Sequence, residues 1–282
     1  MSFMPLEFDA IGTHWIISAE TELFPVESAI EKRIDEFDRF YSRFIKDSAV
    51  RNMGRTPGSY TLPADAKPLM DFYDALYKAT DGHVTPLIGS TMEQAGYDDA
   101  YSFKVGDVQS PPVWTDALEY SFPTLTIKRP VVLDFGAAGK GYLADIIASM
   151  LQKAGYEHFT INAGGDIVVR GTQRIGLEDP RNTDNAIGVV DVTDASLCGS
   201  AGHRRKWGAY EHTINPKTLQ SPSHIDAIWV IASSAMLADG LATALYFTDP
   251  AVLRKHFSFE YAIMKGSDVE SSPGFGAEFF TA

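Results

Sequence analysis

Residues 134–142 read DFGAAGKGY, and this stretch decides the fold because an extended segment gives way to a helix here. The preceding residues 125–133 alternate and then run apolar, which predicts a strand. The apolar spacing that follows predicts a helix over residues 140–154. A carboxylate, a flexible Gly/Ala turn and a lysine therefore meet at a strand-to-helix junction.

A second segment, residues 162–166, reads NAGGD inside a predicted strand over residues 159–169. Glycine weakens a strand and offers no side chain to pack, so a glycine pair inside one needs a reason. One reason is that a ligand or another backbone approaches closely. The two segments together predict one polyphosphate site with a metal, in which residues 162–166 lie beside the start of the helix that carries Lys140.

The remaining elements follow from hydrophobic periodicity on either side of these segments. Further strands are predicted over residues 8–18, 187–192, 225–232 and 259–264. Helices are predicted over residues 26–44 and 65–80, from a cap at residues 233–234 to about Phe247, and briefly after Asp249. Loops are predicted over residues 54–58 and 182–185, a strand-poor segment over residues 98–123, and a loosely structured tail after Gly266.

The composition limits the classes of protein to which this chain can belong. The chain has 282 residues, 45% hydrophobic and 22% charged, which is ordinary for a globular protein with a large core. The formal net charge of -13 argues against nonspecific nucleic-acid binding, which needs a basic surface. The single cysteine, Cys198, excludes an internal disulfide framework.

The sequence shows neither a membrane span nor an export signal in its first residues. No apolar run reaches the length of a transmembrane helix. Residues 1–13 carry Glu7 and Asp9 and lack the basic and apolar regions of a signal peptide, which predicts a cytoplasmic protein. A trimmed lipoprotein or a periplasmic protein would begin in the same way.

The sequence resembles three familiar motifs in part, but each of them lacks a required residue or segment. Residues 134–136 spell the kinase metal-binding triplet, but the chain lacks a His-Arg-Asp catalytic loop and an N-terminal glycine-rich loop. The glycine spacing before Lys140 is too short for a P-loop, and Gly141 stands where Ser or Thr would hold magnesium. Residues 199–202 hint at a nucleophile elbow, but Cys198 stands where glycine is required. The alternative also stays open that this segment is only a strand, a glycine turn and a helix start, with no catalytic or binding role.

Two further groups of residues carry candidate chemistry. Asp239 and Thr243 share one face of the predicted late helix, where a carboxylate and a hydroxyl can hold Mg²⁺. His212 stands beside an extended run that ends at Pro216, and its imidazole suits acid–base catalysis or a phosphate contact. A polar edge on a buried helix and a structural histidine are the simpler alternatives, and the residues alone leave both open.

Taken in this order, the segments resemble the ApbE family, the FAD:protein FMN transferases, over nearly the whole chain. Residues 134–142 resemble the family's DLGGIAKGY block, residues 162–166 match NAGGD, residues 212–216 match HIIDP, and residues 238–243 match the AD-A-x-x-T helix. Residues 11–13 resemble MGT, residues 42–48 resemble S-x-Y-x-x-x-S, and residues 81–87 resemble DG-x-FD-x-T with its following PL. The number of matches in the correct order makes the resemblance specific.

The resemblance implies an α+β fold: a single large mixed α/β domain of two intimate lobes over residues 1–282, T-fold-like, with the tail after Gly266 peripheral. It implies Mg²⁺ held by the side chains of Asp239 and Thr243 and by the carbonyl of Ala137. It implies that His212 and Lys140 are catalytic. The implied FAD contacts are Asp134, Lys140, Phe44 against the isoalloxazine, Ile11, His83, Val84 and Thr85 in the flavin pocket, and Ile214 near the nucleotide.

The implied activity is Mg²⁺-dependent transfer of FMN from FAD onto a Ser/Thr hydroxyl of an acceptor flavoprotein, releasing AMP. The fixed charge of Lys140 would favour the anionic transition state. The chain departs from the family pattern at Ile11 and Thr85, where methionine and aspartate are usual, and at Ala242, where a second carboxylate is frequent. Two alternatives stay open: an Mg²⁺-dependent FAD pyrophosphatase, in which water attacks, and an FAD-binding protein without catalysis.

Overall fold

The computed structural model describes residues 4–202 and 206–280. Residues 1–3 and 281–282, which belong to the predicted N-terminal segment and tail, lie outside the described residues. The strands are β1 Leu6–Ala10, β2 Thr13–Ala19, β3 Gly58–Thr61, β4 Leu118–Ser121, β5 Thr124–Ile127, β6 Phe159–Ala163, β7 Asp166–Arg170, β8 Thr172–Asp179, β9 Asn182–Thr193, β10 Ser196–Ala201, β11 Lys206–Trp207, β12 Tyr210–Glu211, β13 Ala227–Ala232, β14 Glu260–Lys265, β15 Asp268–Ser271 and β16 Glu278–Phe279. The helices are α1 Phe24–Tyr41, α2 Ala49–Arg55, α3 Ala66–Ala79, α4 Gly89–Gln94, α5 Trp114–Ala117, α6 Gly139–Lys153, α7 Ala235–Ala244 and α8 Pro250–Leu253, with a 3₁₀ turn at Pro86–Ile88.

An eight-stranded antiparallel sheet, in the order β1-β2-β6-β7-β10-β13-β14-β15, divides the molecule into two cores. The strands alternate between them: Ile228 and Val230 of β13 face the larger core, and Trp229 between them faces the smaller one. Helices α1, α3, α6 and α7 pack on the first face. The β8–β9 hairpin and Phe275 pack on the second. This arrangement confirms the mixed α+β fold that the resemblance implies.

The start of α6 is brought against α7 by a glycine. A Cβ atom on Gly141 would lie 2.2 Å from the carbonyl oxygen of Ala235, so the two helices approach as closely as backbones allow. The carboxylate of Asp145 on α6 accepts hydrogen bonds from the N–H groups of Ala235 and Met236, both at 2.8 Å. These bonds satisfy two free donors at the start of α7 and fix the helix that carries Asp239.

Two predicted strands are hairpins. The prediction of one strand over residues 8–18 is wrong, because the chain turns at Ile11 and Gly12, whose φ angles are +42° and +79°. Residues 159–169 likewise form β6 and β7, joined at Gly164 and Gly165 with φ angles of +65° and +105°. Two consecutive positive φ angles are typical of the tight turns that join antiparallel strands.

The glycine pair therefore lies in a turn rather than inside a strand. The close approach that glycine was expected to permit is made by the protein itself: a Cβ atom on Gly164 would lie 1.9 Å from the Thr13 hydroxyl oxygen. The Asn162 side chain accepts a hydrogen bond from the Gly165 N–H at 2.9 Å and closes the turn. The turn brings Asp166 to the first position of β7.

The remaining differences between the predicted and the observed elements concern short helices and strands, element ends and the β8–β9 hairpin. The predicted loop at residues 54–58 contains the end of α2 and the start of β3, and the strand-poor segment contains α5 and β4. The strand predicted to residue 133 ends at Ile127, and the helix predicted to residue 44 ends at Tyr41. Strand β8 was not predicted, and the predicted loop at residues 182–185 belongs to β9. The short elements among these depend on tertiary partners rather than on local pattern, whereas β8 and β9, of 8 and 12 residues, are long strands that the sequence pattern did not indicate in full.

The tail after Gly266 is structured, and the prediction of a loose tail is wrong. Strand β15 extends the edge of the large sheet, and β16 pairs with β9. Phe275 is buried in the smaller core, which ties the tail to the domain. Among the described residues, no helix is long and apolar enough to cross a membrane.

Candidate active site

A cavity of about 390 Å³ lies where the helical layer meets the β1–β2 turn. Its walls come from distant parts of the chain: that turn, the end of α1, the segment before α6, and the end of α7. All but one of the predicted site residues line it, namely Ile11, Phe44, His83, Val84, Thr85, Asp134, Ala137, Lys140, His212, Ile214 and Thr243. The exception is Asp239, which lies behind Lys140 and is mostly buried.

Lys140 lies between two carboxylates at the first turn of α6. Its Nζ forms an ion pair with Asp166, whose side chain is 1% exposed, and lies 3.9 Å from Asp239 Oδ1. The direct ion pair confirms that residues 162–166 lie beside the start of this helix. Asp166 was not among the predicted site residues, although the NAGGD segment had marked it. One ammonium group therefore faces two buried carboxylates, and the cluster has a surplus of negative charge.

Asp239 has a different partner on each oxygen. Its Oδ2 accepts a hydrogen bond from the Gly141 N–H at 3.0 Å, whereas Oδ1 faces the Lys140 ammonium at 3.9 Å, beyond hydrogen-bond distance. Burial raises the pKa of Asp239, and the charge of Lys140 and the Gly141 N–H oppose that rise. A buried carboxylate charge needs a cation as partner, and Lys140 is shared between Asp239 and Asp166.

The predicted metal ligands fit a hard cation in their chemistry. Thr243 follows Asp239 by one turn of α7 and lines the cavity, as does Ala137. A carboxylate, a hydroxyl and a carbonyl are the oxygen donors that Mg²⁺ accepts, with water or phosphate oxygens completing its shell. Within the described residues, no group of three or more His, Cys, Asp or Glu side chains converges, so a site rich in carboxylates or imidazoles is not formed there.

Asp134 is held by protein donors. Its Oδ1 accepts a hydrogen bond from the Gly136 N–H at 2.6 Å, and its Oδ2 accepts one from Arg43 Nε. Arg43 is 2% exposed, and its guanidinium carbon lies 4.1 Å from the centre of the Phe44 ring. Arg43 was not among the predicted site residues. The only indication of it in the sequence is a cation beside an aromatic residue in the segment SRF.

His83 has a defined tautomer. Its Nδ1 lies 2.7 Å from the carbonyl oxygen of Thr80, which can only accept, so Nδ1 carries a proton and Nε2 has a lone pair when the ring is neutral. The ring stacks on Phe247, with centroids 6.1 Å apart. The hydroxyl of Thr80 also accepts a hydrogen bond from the Val84 N–H at 3.0 Å, which holds the loop in place.

His212 is the second histidine of the cavity wall. It follows directly after β12, is half-buried and lines the cavity together with Ile214. The cavity thus contains two imidazoles and one lysine beside carboxylates. These groups can bind an anion and move a proton.

The profile of one protein family matches residues 11–261, and that family is ApbE. The chain belongs to the ApbE family. Among curated relatives, the FAD:protein FMN transferase of Klebsiella pneumoniae (strain 342) is 23% identical over 92% of this chain and 84% of its own length. The protein of the same name from Escherichia coli (strain K12) is 23% identical over 93% of this chain and 84% of its own.

Solved structures have the same fold. The ApbE protein from Thermotoga maritima superposes with a TM-score of 0.84 at 20% identity, covering 98% of both chains. The flavin transferase ApbE from Vibrio cholerae superposes with a TM-score of 0.81 at 19% identity, covering 98% of this chain and 99% of its own. At this level of identity the likeness concerns the fold, and the chemistry has to be argued from the site.

Proposed function

We propose that this protein transfers FMN from FAD onto a serine or threonine hydroxyl of an acceptor flavoprotein and releases AMP, with Mg²⁺ as its metal. The observation that carries the proposal is a single cavity that joins the Lys140 cluster to an aromatic wall containing Phe44. FAD has the matching chemistry: its flat ring system suits the aromatic wall, and its pyrophosphate would bind at Lys140 together with a metal cation that offsets the two carboxylates. The names of the curated relatives support the same activity.

The reaction breaks the phosphoanhydride bond of FAD and forms a phosphoester bond to the acceptor. The acceptor hydroxyl oxygen bonds to the phosphorus that carries riboflavin, while the bond from that phosphorus to the bridging oxygen breaks and AMP leaves with that oxygen. Lys140 is placed to stabilise the anionic transition state. His212 receives the hydroxyl proton on its neutral imidazole, the usual way in which histidine acts as a general base.

The metal would be held by Asp239, Thr243 and the carbonyl of Ala137. When bound, Mg²⁺ would neutralise charge on the pyrophosphate and so favour departure of AMP. The support from the chain is the Oδ1 atom of Asp239, which takes no part in the Gly141 hydrogen bond and lies 3.9 Å from Lys140, so that two buried carboxylates share one ammonium group. The remaining predicted FAD contacts line the same cavity, and the individual role of each is part of this proposal. A cytoplasmic location is likewise a proposal.

The test is incubation of the protein with FAD, MgCl₂ and a candidate flavoprotein domain. In-gel flavin fluorescence measures the transferred FMN, and AMP release is followed with and without the acceptor. Asp239→Asn tests the metal site, and Asp268→Asn on the exposed edge strand β15 is the matched control.

Three results are informative. Fluorescent acceptor with equimolar AMP, lost in EDTA and in Asp239→Asn but kept in Asp268→Asn, supports the transferase. AMP release without acceptor identifies an FAD pyrophosphatase. Stoichiometric FAD binding without turnover identifies a flavin-binding protein and contradicts the proposal.

A further inference from the structure

Tyr101 stacks on Phe44 inside the cavity. The ring centroids are 5.3 Å apart and the planes differ by 11°, and both residues line the cavity wall. Phe44 is the aromatic surface that the proposed function assigns to the flavin. We propose that Tyr101 is a built-in plug, which takes the place of the flavin ring on Phe44 and has to swing away before FAD can stack there.

The spacing of the two rings excludes a flavin between them. Stacked aromatic atoms lie about 3.5 Å apart at best, so inserting a third ring requires roughly 7 Å between the outer planes. The planes of Phe44 and Tyr101 cannot be farther apart than their centroids, which are 5.3 Å apart. A flavin on this side of Phe44 therefore replaces Tyr101 rather than joining it.

The Arg43 side of Phe44 is not available to a ligand. Arg43 packs on the ring at 4.1 Å, is 2% exposed, and is tied to Asp134 through Nε. Tyr101, in contrast, is 44% exposed. Tyr97 also contacts Phe44, edge to face with ring centroids 5.6 Å apart, but it is 7% exposed. Of these three side chains on Phe44, Tyr101 is the one that can move without opening the core.

The segment that carries Tyr101 is held by local bonds. Tyr101 and Phe103 have φ angles of +49° and +52°, in the left-handed region that non-glycine residues adopt rarely. Asp98 stabilises this turn by accepting hydrogen bonds from the N–H groups of Ala100 and Ser102, at 3.1 and 2.9 Å. The described segment 101–113 contains no helix or strand. Swinging Tyr101 away would break its ring contacts with Phe44, Tyr97 and Phe103 but no regular secondary structure.

A plug lowers the apparent affinity for the ligand, because only the open fraction of molecules can bind. Removing the Tyr101 ring therefore lowers the dissociation constant of a flavin about threefold to tenfold, which corresponds to the free energy of one aromatic stacking contact. The gain is confined to ligands that contain the isoalloxazine. FAD and riboflavin benefit, whereas AMP, which has no flavin ring, binds as before.

The experiment measures dissociation constants and association rates of FAD, riboflavin and AMP by fluorescence quenching and calorimetry. Tyr101→Ala and Tyr101→Leu remove the plug, and Tyr101→Phe keeps it. Val105→Ala is the matched control, because Val105 is 52% exposed on the same segment and is absent from the cavity wall. Melting temperatures check that each variant is folded.

The expected result is FAD and riboflavin binding about threefold to tenfold tighter and faster in Tyr101→Ala and Tyr101→Leu, with Tyr101→Phe and Val105→Ala like wild type. Unchanged or weaker flavin binding in both plug-removing variants overturns the inference, the weaker case making Tyr101 a wall of the bound site. The inference rests on the proposed function. The two fail differently: if no variant binds FAD or riboflavin, the proposed function falls as well, whereas weaker binding in Tyr101→Ala leaves it intact.

Discussion

Replacing Lys140 with methionine tests whether the ion pair with Asp166 stabilises the site. The substitution keeps much of the side-chain bulk and leaves the Asp166 carboxylate, 1% exposed, without its cation. Removing one partner of a buried pair typically costs about 3–5 kcal/mol. Because the Lys140 side chain is 27% exposed, solvent screens part of the interaction, and we expect a loss of about 2–4 kcal/mol in the free energy of unfolding.

The assay is urea unfolding at pH 7, with three further variants or conditions. Lys140→Met/Asp166→Asn should recover most of the lost stability, since no charge stays buried, yet remain inactive in the FMN transfer assay. The deficit of Lys140→Met is also measured at pH 5, where protonation neutralises an unpaired buried carboxylate more readily and the deficit should shrink. Lys32→Met, at an exposed pair with Glu36, is the control and should change stability by less than about 0.5 kcal/mol.

Two outcomes would refute this reasoning. One is a Lys140→Met variant as stable as wild type at pH 7. The other is a double variant as unstable as the single one, because the loss would then come from packing rather than from the orphaned carboxylate.

Three other predictions concern neighbouring groups. Asp239→Asn should abolish Mg²⁺-dependent AMP release while the circular dichroism spectrum is unchanged, and full activity in magnesium would remove Asp239 from the metal site. His212→Ala should lower turnover by about a hundredfold or more with little change in FAD affinity; normal turnover with a lower melting temperature would make His212 structural. Burial raises the pKa of Asp145 from 3.8 to about 6, so the folded state binds this proton more tightly than the unfolded chain does. Stability should therefore fall as the pH rises from 4 to 6, and Asp145→Asn should flatten that slope in urea midpoints; an unchanged slope would exclude Asp145 as its source.

Local pattern predicted the long elements well. Helices α3, α6 and α7 repeat apolar residues at the helical spacing over several turns, and each was predicted within a few residues of its bounds. The caps of α7 and α8 at Ser234 and Asp249 were also predicted, since capping is a bond between a side chain and its own helix. Such features depend on neighbours in the sequence, and the sequence alone was enough to determine them.

The sequence also determined which residue types would form the site, but not how they pair. Lys140 meets Asp166 and Asp239 because the β6–β7 turn and the close contact of α6 with α7 bring three separate segments together. The pairing of Arg43 with Asp134 and the stacking of Tyr101 on Phe44 join segments that share no local pattern. Periodicity reports which face of an element is apolar, whereas an ion pair or a ring contact requires the positions of both partners. Only the tertiary structure supplies those positions, because they depend on how whole layers pack around the sheet.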